Sequence, residues 1–100
     1  MQADVTRCGG ITGFRRVSAL CDAHCVNLSA HCAPLASTHA CAAVWHLAHL
    51  EYFHDHVRIE NMLFEGVPQP GPGSSLAPDP DRPGLGVEFR RADAEPFRAG

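Results

Sequence analysis

The sequence has 100 residues, of which 45% are hydrophobic and 19% charged, and its formal net charge is −3. These values are typical of a globular domain and exclude an intrinsically disordered chain. At this length we expect at most one small domain. The two adjacent arginine pairs, Arg15-Arg16 and Arg90-Arg91, are too few for a nucleic-acid-binding surface.

The remaining composition constrains the compartment and the available chemistry. No apolar stretch has the length of a membrane span, and the first residues, MQADVTR, lack the apolar core of a signal peptide. We therefore expect a cytoplasmic protein that does not bind membranes. The five cysteines, an odd number, predict reduced and mostly buried thiols. All eight basic side chains are arginine, which leaves no lysine base in these residues.

The first predicted unit is a strand followed by a helix. The segment QADVT resembles the last residues of a strand, and the glycine pair Gly9-Gly10 forms the loop after it. Thr12 can cap a helix over about 13–23, where apolar residues recur at helical spacing. Because the strand begins next to Met1, we expect its pairing residues to lie upstream, and hence a C-terminal fragment of a larger domain.

Two further units follow the same order. VNLSAH has the length and apolar character of a strand, and Pro34 suits the first turn of an Ala-rich helix that we predict over about 35–47. A third short strand is predicted over 50–53. The order β-α-β-α-β is typical of a parallel sheet with right-handed crossovers.

The composition changes after Gly66. The segment PQPGPGSSLAPDPDRPG is rich in proline, glycine and serine and is not expected to form regular structure, whereas LGVEF resembles one short terminal strand. We therefore divide the chain into βα units over residues 1–67 and a linker, terminal strand and tail over residues 68–100.

Three proton-handling side chains stand at the ends of the predicted strands. Asp4 and His31 are 31 − 4 = 27 residues apart, and His31 and Glu51 are 51 − 31 = 20 residues apart, enough for one βα unit each. In parallel α/β folds the carboxyl ends of the strands carry the chemistry. The spacing therefore predicts that these three side chains form part of one active-site rim.

The ordered motifs DVTRCGG, LSAHCAP, HLEYF and PDRPGLGVEF resemble the mandelate racemase and muconate-lactonising branch of the enolase superfamily. The resemblance covers about residues 2–92 and implies an α/β fold, the C-terminal βα units of a (β/α)₈ barrel. It also implies a Mg²⁺-dependent enzyme that removes the proton next to a substrate carboxylate, with a Lys or His base. An acid-sugar dehydratase is the activity expected first, and a racemase, epimerase or lactonising enzyme is the alternative.

The resemblance also implies roles for individual residues. Asp4 and His31 would form a dyad that acts as base or acid, and Glu51 would donate a hydrogen bond to the substrate carboxylate. To donate, Glu51 would have to be protonated, which requires a poorly solvated site. The family's Mg²⁺ carboxylates and its lysine base lie on strands that this chain lacks. The resemblance therefore implies that the magnesium ligands are absent and that this chain is inactive alone; family members are often homo-oligomers.

Other interpretations of these residues remain open. Asp4 could cap a loop, Glu51 could be a solvated charge, and the whole chain could be a non-catalytic remnant. A small zinc-binding module is a further alternative, because Cys21, His24 and Cys25 lie close in sequence, although the spacings match no common zinc motif. His31 and Cys32, a short distance downstream, belong to the same candidate set.

Three further features give local expectations. Arg7 lies three residues after Asp4, which suggests an ion pair between them. We expect Trp45 in the core, as part of the second helix. We expect His54-Asp55-His56 in a loop after the last strand of the βα units.

Overall fold

A computed structural model describes residues 1–100 as a small α/β protein. Three short parallel strands alternate with helices, and an antiparallel pair of strands follows. The strands are β1 (Gln2–Ala3), β2 (Leu28–Ala30), β3 (Leu47–Leu50), β4 (Phe64–Glu65) and β5 (Glu88–Phe89). The helices are α1 (Gly10–Ala23), α2 (Pro34–Cys41), α3 (His54–Leu63) and α4 (Arg91–Ala94).

The first sheet has the order β1-β2-β3, and both pairings are parallel. Ala3 is opposite Ala30, and Ala30 is opposite Leu50, so the three strands end at the same level. The N–H of Glu51 donates to the carbonyl of Ala30 at 2.9 Å and extends this ladder by one residue. The predicted β-α-β-α-β order is confirmed, and it puts the three strand ends side by side.

The core lies between this sheet and the helices α1 and α2. Phe14 and Leu28 are its largest fully buried apolar side chains, and small residues fill the space around them. Three cysteines, Cys21, Cys32 and Cys41, are buried, and none of the five forms a disulfide. The expectation of reduced and mostly buried thiols is therefore confirmed. No helix is long and apolar enough to cross a membrane.

Helix α1 begins three residues earlier than predicted, and Thr12 is not its cap. The N–H groups of Arg7 and Cys8 donate to the carbonyl of Asp4 at 3.0 and 2.9 Å, so the chain turns directly after β1. Gly9 then occupies the N-cap position with φ 93°, a left-handed conformation that glycine adopts without strain. This tight turn, which depends on Gly9, moves the start of the helix to Gly10.

The predicted boundary between α2 and β3 is also wrong. Helix α2 ends at Cys41, whereas we predicted that it would continue to residue 47. Strand β3 spans Leu47–Leu50, whereas we predicted a strand over 50–53. Pairing with β2 requires an extended chain at Leu47, opposite Leu28. Tertiary pairing therefore overrides the helix propensity of this Ala-rich segment. Trp45 lies in the connection between them, 90% exposed, and is not in the core.

The segment His54-Asp55-His56 is the first turn of helix α3 and not a loop. After α3 the chain forms β4 and an irregular Pro-rich stretch, then returns as β5, which pairs with β4 in antiparallel orientation. The predicted terminal strand therefore exists, but only its last two residues, Glu88 and Phe89, pair. The Phe64 and Phe89 rings lie 5.6 Å apart across this pair.

Candidate active site

Asp4, His31 and Glu51 each occupy the position directly after a strand of the first sheet. They follow β1, β2 and β3 respectively. Because the strands are parallel and in level register, the three residues meet at one edge of the sheet. The three side chains therefore converge, as their spacing in the sequence predicts.

Asp4 and His31 form a hydrogen-bonded pair. The Nδ1 atom of His31 lies 3.1 Å from Oδ2 of Asp4, whose other oxygen accepts the backbone N–H and the hydroxyl of Thr6 at 2.8 and 2.7 Å. Burial raises the pKa of Asp4, but the hydrogen bonds from Thr6 and His31 outweigh it, and the pKa lies below its usual value. The Nε atom of Arg7 is 3.3 Å from Oδ2, which confirms the suggested ion pair.

The ionised Asp4 determines which nitrogen of His31 carries the proton. A carboxylate can only accept hydrogen bonds, so Nδ1 of His31 must be the donor. In a neutral imidazole, Nε2 is then the nitrogen with a free electron pair. The side chain of His31 is 35% exposed, so this nitrogen can be reached from outside. His31 is thus a base whose orientation and tautomer are set by Asp4.

Glu51 and Cys32 surround the basic nitrogen of His31. Nε2 lies 3.6 Å from Oε2 of Glu51 and 3.4 Å from Sγ of Cys32. The same Oε2 accepts the Cys32 N–H at 3.2 Å and contacts its Sγ at 3.4 Å. Burial, followed by the hydrogen bond to Glu51, raises the pKa of the Cys32 thiol. The side chain of Glu51 is 39% exposed, so the poorly solvated environment expected for it is not present within this chain.

The backbone after His31 is strained and is held in place by several hydrogen bonds. Cys32 and Ala33 have φ values of 52° and 43°, in the left-handed region that L-residues with a side chain avoid. The Ser37 hydroxyl donates to the Cys32 carbonyl at 2.9 Å, and the Ala33 N–H donates to Nδ1 of His56 at 3.0 Å. Such strain persists only where the surroundings enforce it, and it is common at functional sites.

Helix α3 provides the groups that fix this loop, and the sequence interpretation missed them. His56 accepts the Ala33 N–H, and both carboxylate oxygens of Glu60 lie 3.2–3.3 Å from the Leu35 nitrogen. Burial raises the pKa of Glu60 despite the opposing effects of this hydrogen bond and of His56. The four-residue spacing of His56 and Glu60, which places both on one helical face, was the available signal. Because His54-Asp55-His56 was expected to form a loop, the sequence interpretation did not place His56 on a helix with Glu60.

The other histidine- and cysteine-rich features do not form a comparable site. The set Cys21, His24 and Cys25 does not bring its ligand atoms together, and the only group of three that does is His31, Cys32 and Glu51. His46 instead pairs with Asp22 at 2.9 Å. Of the zinc ligands suggested by the sequence, Cys21, His24 and Cys25 are therefore wrong, whereas His31 and Cys32 lie in the group that converges.

A magnesium ion does not fit the donors at this strand edge. Mg²⁺ takes oxygen ligands in octahedral geometry, and thiol and imidazole groups suit softer metals. Among the three residues whose ligand atoms lie together, only Glu51 offers oxygen, beside Cys32 and His31. The Asp4 carboxylate at the same edge is already bonded to His31, Thr6 and Arg7. None of these residues is therefore assigned as a magnesium ligand.

Comparison with known proteins identifies the family of this chain. Residues 1–94 match the family described as enolase C-terminal domain-like. The chain belongs to this family. No curated protein matches the chain.

Solved structures of the enolase superfamily are similar to this chain. A mandelate racemase/muconate lactonizing enzyme-like protein from Rubrobacter xylanophilus is 61% identical with a TM-score of 0.90, over 95% of this chain and 26% of its own. A racemase from Streptomyces coelicolor A3(2) with bound magnesium is 30% identical with a TM-score of 0.74, over 95% and 24%. A superfamily member from Agrobacterium tumefaciens is 27% identical with a TM-score of 0.72, over 86% and 23%. This enolase-family chain thus spans about a quarter of the length of these relatives.

Proposed function

We propose that these residues form the acid–base part of an enolase-superfamily active site that removes the proton next to a substrate carboxylate. The observation that carries this proposal is the Asp4–His31 pair, with Nδ1 and Oδ2 3.1 Å apart at the ends of two neighbouring parallel strands. In the proposal, the three βα units are part of a (β/α)₈ barrel. By analogy with the magnesium bound to the Streptomyces racemase, the complete enzyme would hold Mg²⁺, with ligands outside these 100 residues.

His31 is the base in this proposal. Its Nε2 takes the α-proton of the acid, and the charge that forms on the imidazole is stabilised by the Asp4 carboxylate at Nδ1. Glu51, at 3.6 Å from Nε2, lies where it can contact the substrate carboxylate. It can do so by a hydrogen bond only when protonated, because two carboxylates repel each other.

An acid-sugar dehydratase is the activity we favour within the superfamily. After Nε2 has taken the α-proton, the same N–H can return a proton to the β-hydroxyl on that face, so that the C–O bond breaks and water leaves. Histidine suits both steps because an imidazole can accept a proton and donate it again. One side chain then serves as base and acid.

Racemisation or epimerisation is the second candidate, and the 30% identical Streptomyces racemase supports it. That reaction needs a second base on the opposite face of the substrate, and a lactonising enzyme is a further alternative within the same family. In all three, the substrate is a carboxylic acid, and neither nucleic acid nor membrane is proposed as a partner. We also propose a cytoplasmic location and a homo-oligomeric assembly.

The test is a chimera in which this chain replaces the equivalent segment of the Rubrobacter protein, which it matches at a TM-score of 0.90. Proton NMR in D₂O with a panel of sugar acids follows exchange of the α-proton and loss of the β-hydroxyl. We expect exchange, and His31→Asn should lower its rate by about 10²–10⁴-fold, the usual contribution of an acid–base group.

The matched control is His24→Asn, since His24 is exposed and lies at the end of α1, away from the strand edge. It should leave the exchange rate unchanged. Exchange that survives His31→Asn, or a chimera that fails to exchange any acid that the parent protein exchanges, would contradict the proposal. Exchange without loss of the hydroxyl would favour the racemase.

A further inference from the structure

Three donor atoms of different chemical type converge at the same strand edge. These atoms are Nε2 of His31, Sγ of Cys32 and Oε2 of Glu51. The nitrogen–sulfur and sulfur–oxygen distances are both 3.4 Å, and the nitrogen–oxygen distance is 3.6 Å. The cluster combines residues from the ends of β2 and β3, which the parallel pairing holds together.

These separations match those of a tetrahedral zinc centre. Zinc bonds of about 2.3 Å to sulfur and about 2.0–2.1 Å to nitrogen or oxygen put tetrahedral ligands roughly 3.3–3.6 Å apart. Within this range sulfur lies about 3.5–3.6 Å from nitrogen or oxygen, and nitrogen about 3.3–3.4 Å from oxygen. The observed distances of 3.4 Å for both sulfur pairs and 3.6 Å for the nitrogen–oxygen pair lie within about 0.3 Å of these values, so small side-chain movements bring the three atoms to zinc-binding positions. We propose that His31, Cys32 and Glu51 form a Zn²⁺ site with one open position for water.

The donor types favour zinc over magnesium. A thiolate with an imidazole and one carboxylate suits Zn²⁺, whereas Mg²⁺ prefers oxygen ligands. On binding, the S–H bond of Cys32 breaks, a sulfur–zinc bond forms and the proton goes to solvent. Asp4 accepts the Nδ1–H of His31, which is the outer-shell contact that orients histidine ligands in zinc sites.

Zinc at this position would inhibit the enzyme. It would occupy the electron pair of His31 Nε2, which the proposed function uses to take a proton, together with Oε2 of Glu51. This consequence rests on the proposed function, whereas the binding of zinc does not. The two ideas therefore fail separately: metal titration of the 100-residue chain tests the site, and proton exchange in the chimera tests the reaction.

The direct test is a titration of the reduced chain with Co²⁺, a spectroscopic substitute for zinc, followed by displacement with Zn²⁺. We expect one equivalent of metal and the near-ultraviolet charge-transfer band of a thiolate–cobalt bond, lost when zinc displaces cobalt. A wild-type chain without this band would overturn the proposal.

Variants identify the ligands. Cys32→Ser should abolish the band, whereas Cys25→Ser, which changes an exposed cysteine outside the cluster, should leave it intact. Glu51→Gln should keep the band, since the thiol remains, but weaken binding. Asp4→Asn should weaken it by about 10–100-fold, as expected for an outer-shell partner. Equal losses in Cys32→Ser and Cys25→Ser, or unchanged binding in Glu51→Gln, would show non-specific thiol binding and overturn the site.

Discussion

At the scale of single residues, the carboxylate of Asp4 controls the chemistry of His31. It is almost fully buried, with 8% of its side chain exposed, yet Thr6 and Arg7 supply donors for the charged form. Because this carboxylate can only accept, it makes Nδ1 of His31 the donor and leaves Nε2 free to act as a base. The same contact that orients the imidazole thus determines its tautomer.

Replacing Asp4 by asparagine should reverse this tautomer. The amide oxygen can still accept from Thr6, but the amide nitrogen would then face Nδ1 and donate to it, which forces the proton onto Nε2. Long-range ¹H–¹⁵N NMR of the imidazole should show His31 protonated at Nδ1 in the wild type and at Nε2 in Asp4→Asn. In the chimera, a wrong tautomer of this kind costs about 10⁴-fold in rate by analogy with the aspartate of serine-protease triads.

Asp22→Asn is the control for that measurement. Asp22 contacts Nδ1 of His46 at 2.9 Å in a similar pairing far from His31. The Asp22→Asn substitution should change the NMR signals of His46 and leave those of His31 unchanged. A His31 spectrum identical in wild type and Asp4→Asn would contradict the role given to Asp4.

The low pKa of Asp4 also predicts how stability depends on pH. The pKa of Asp4 is lower in the folded protein than in the unfolded chain, where an aspartate has a pKa of about 3.9. The ionised group therefore stabilises the folded state above that pH, and this stabilisation is lost as the pH falls through the pKa of the folded state. Urea unfolding at about pH 6 and about pH 3 should therefore show a loss of free energy of unfolding. The Asp4→Asn variant should lose less free energy of unfolding between these two pH values than the wild type. An equal loss would contradict the contribution of Asp4 and assign the pH dependence to other carboxyl groups.

At the scale of secondary-structure elements, α3 completes the N-terminus of α2. Helix α2 follows Ala33, which has a left-handed conformation and no side chain that can cap a helix. His56 and Glu60 of α3 accept the N–H groups of Ala33 and Leu35 in its place. A negative charge here also interacts favourably with the positive end of the helix dipole. The position of α3 and the loop after His31 are thus coupled.

Removing the Glu60 carboxylate should therefore destabilise the protein. We expect Glu60→Ala to lower the free energy of unfolding by about 1–2 kcal/mol, the usual cost of a lost helix cap, measured by urea unfolding. Glu60→Gln keeps an acceptor for the Leu35 N–H and should lose less. The control is Glu65→Ala, which changes an exposed glutamate in β4. Equal effects of Glu60→Ala and Glu65→Ala would contradict the capping role.

At the scale of the whole molecule, the chain has a thin core and much exposed apolar surface. Only 15 of its 100 residues are buried, and twelve large hydrophobic side chains are exposed. The radius of gyration is 14.5 Å, against about 13 Å for a compact domain of 100 residues. Strands β1 and β3 each have one unpaired edge. Open edges and apolar patches favour association with further protein surface.

We therefore expect the isolated chain to self-associate. Leu20, 64% exposed, lies with Val17 and Val26 in an apolar groove between α1 and β1. Leu20→Arg should reduce the concentration-dependent mass seen by sedimentation velocity. Phe97→Arg, at a position with the same 64% exposure in the C-terminal segment, is the matched control. A monomer at all concentrations, or an equal effect of both variants, would contradict association through this groove.

The sequence by itself determined the order of the βα units and the side chains at their ends. The alternation of short apolar runs with helix-favouring segments indicated the parallel order, and the spacings of Asp4, His31 and Glu51 predicted their convergence. These features depend on local patterns and on the rule that parallel strands end at one edge, so the order of the residues is enough to derive them.

Only the tertiary structure decided where elements begin and end and which groups support the site. Helix α2 stops at Cys41 because β3 must pair with Leu28, and no local signal in an Ala-rich segment marks that point. The contact of Cys32 with Glu51, and the bonds from α3 to Ala33 and Leu35, join residues 19 to 25 positions apart. The contact of Cys32 with Glu51 follows from the pairing of β2 with β3, and the bonds from α3 follow from its packing against α2. Sequence periodicity specifies neither.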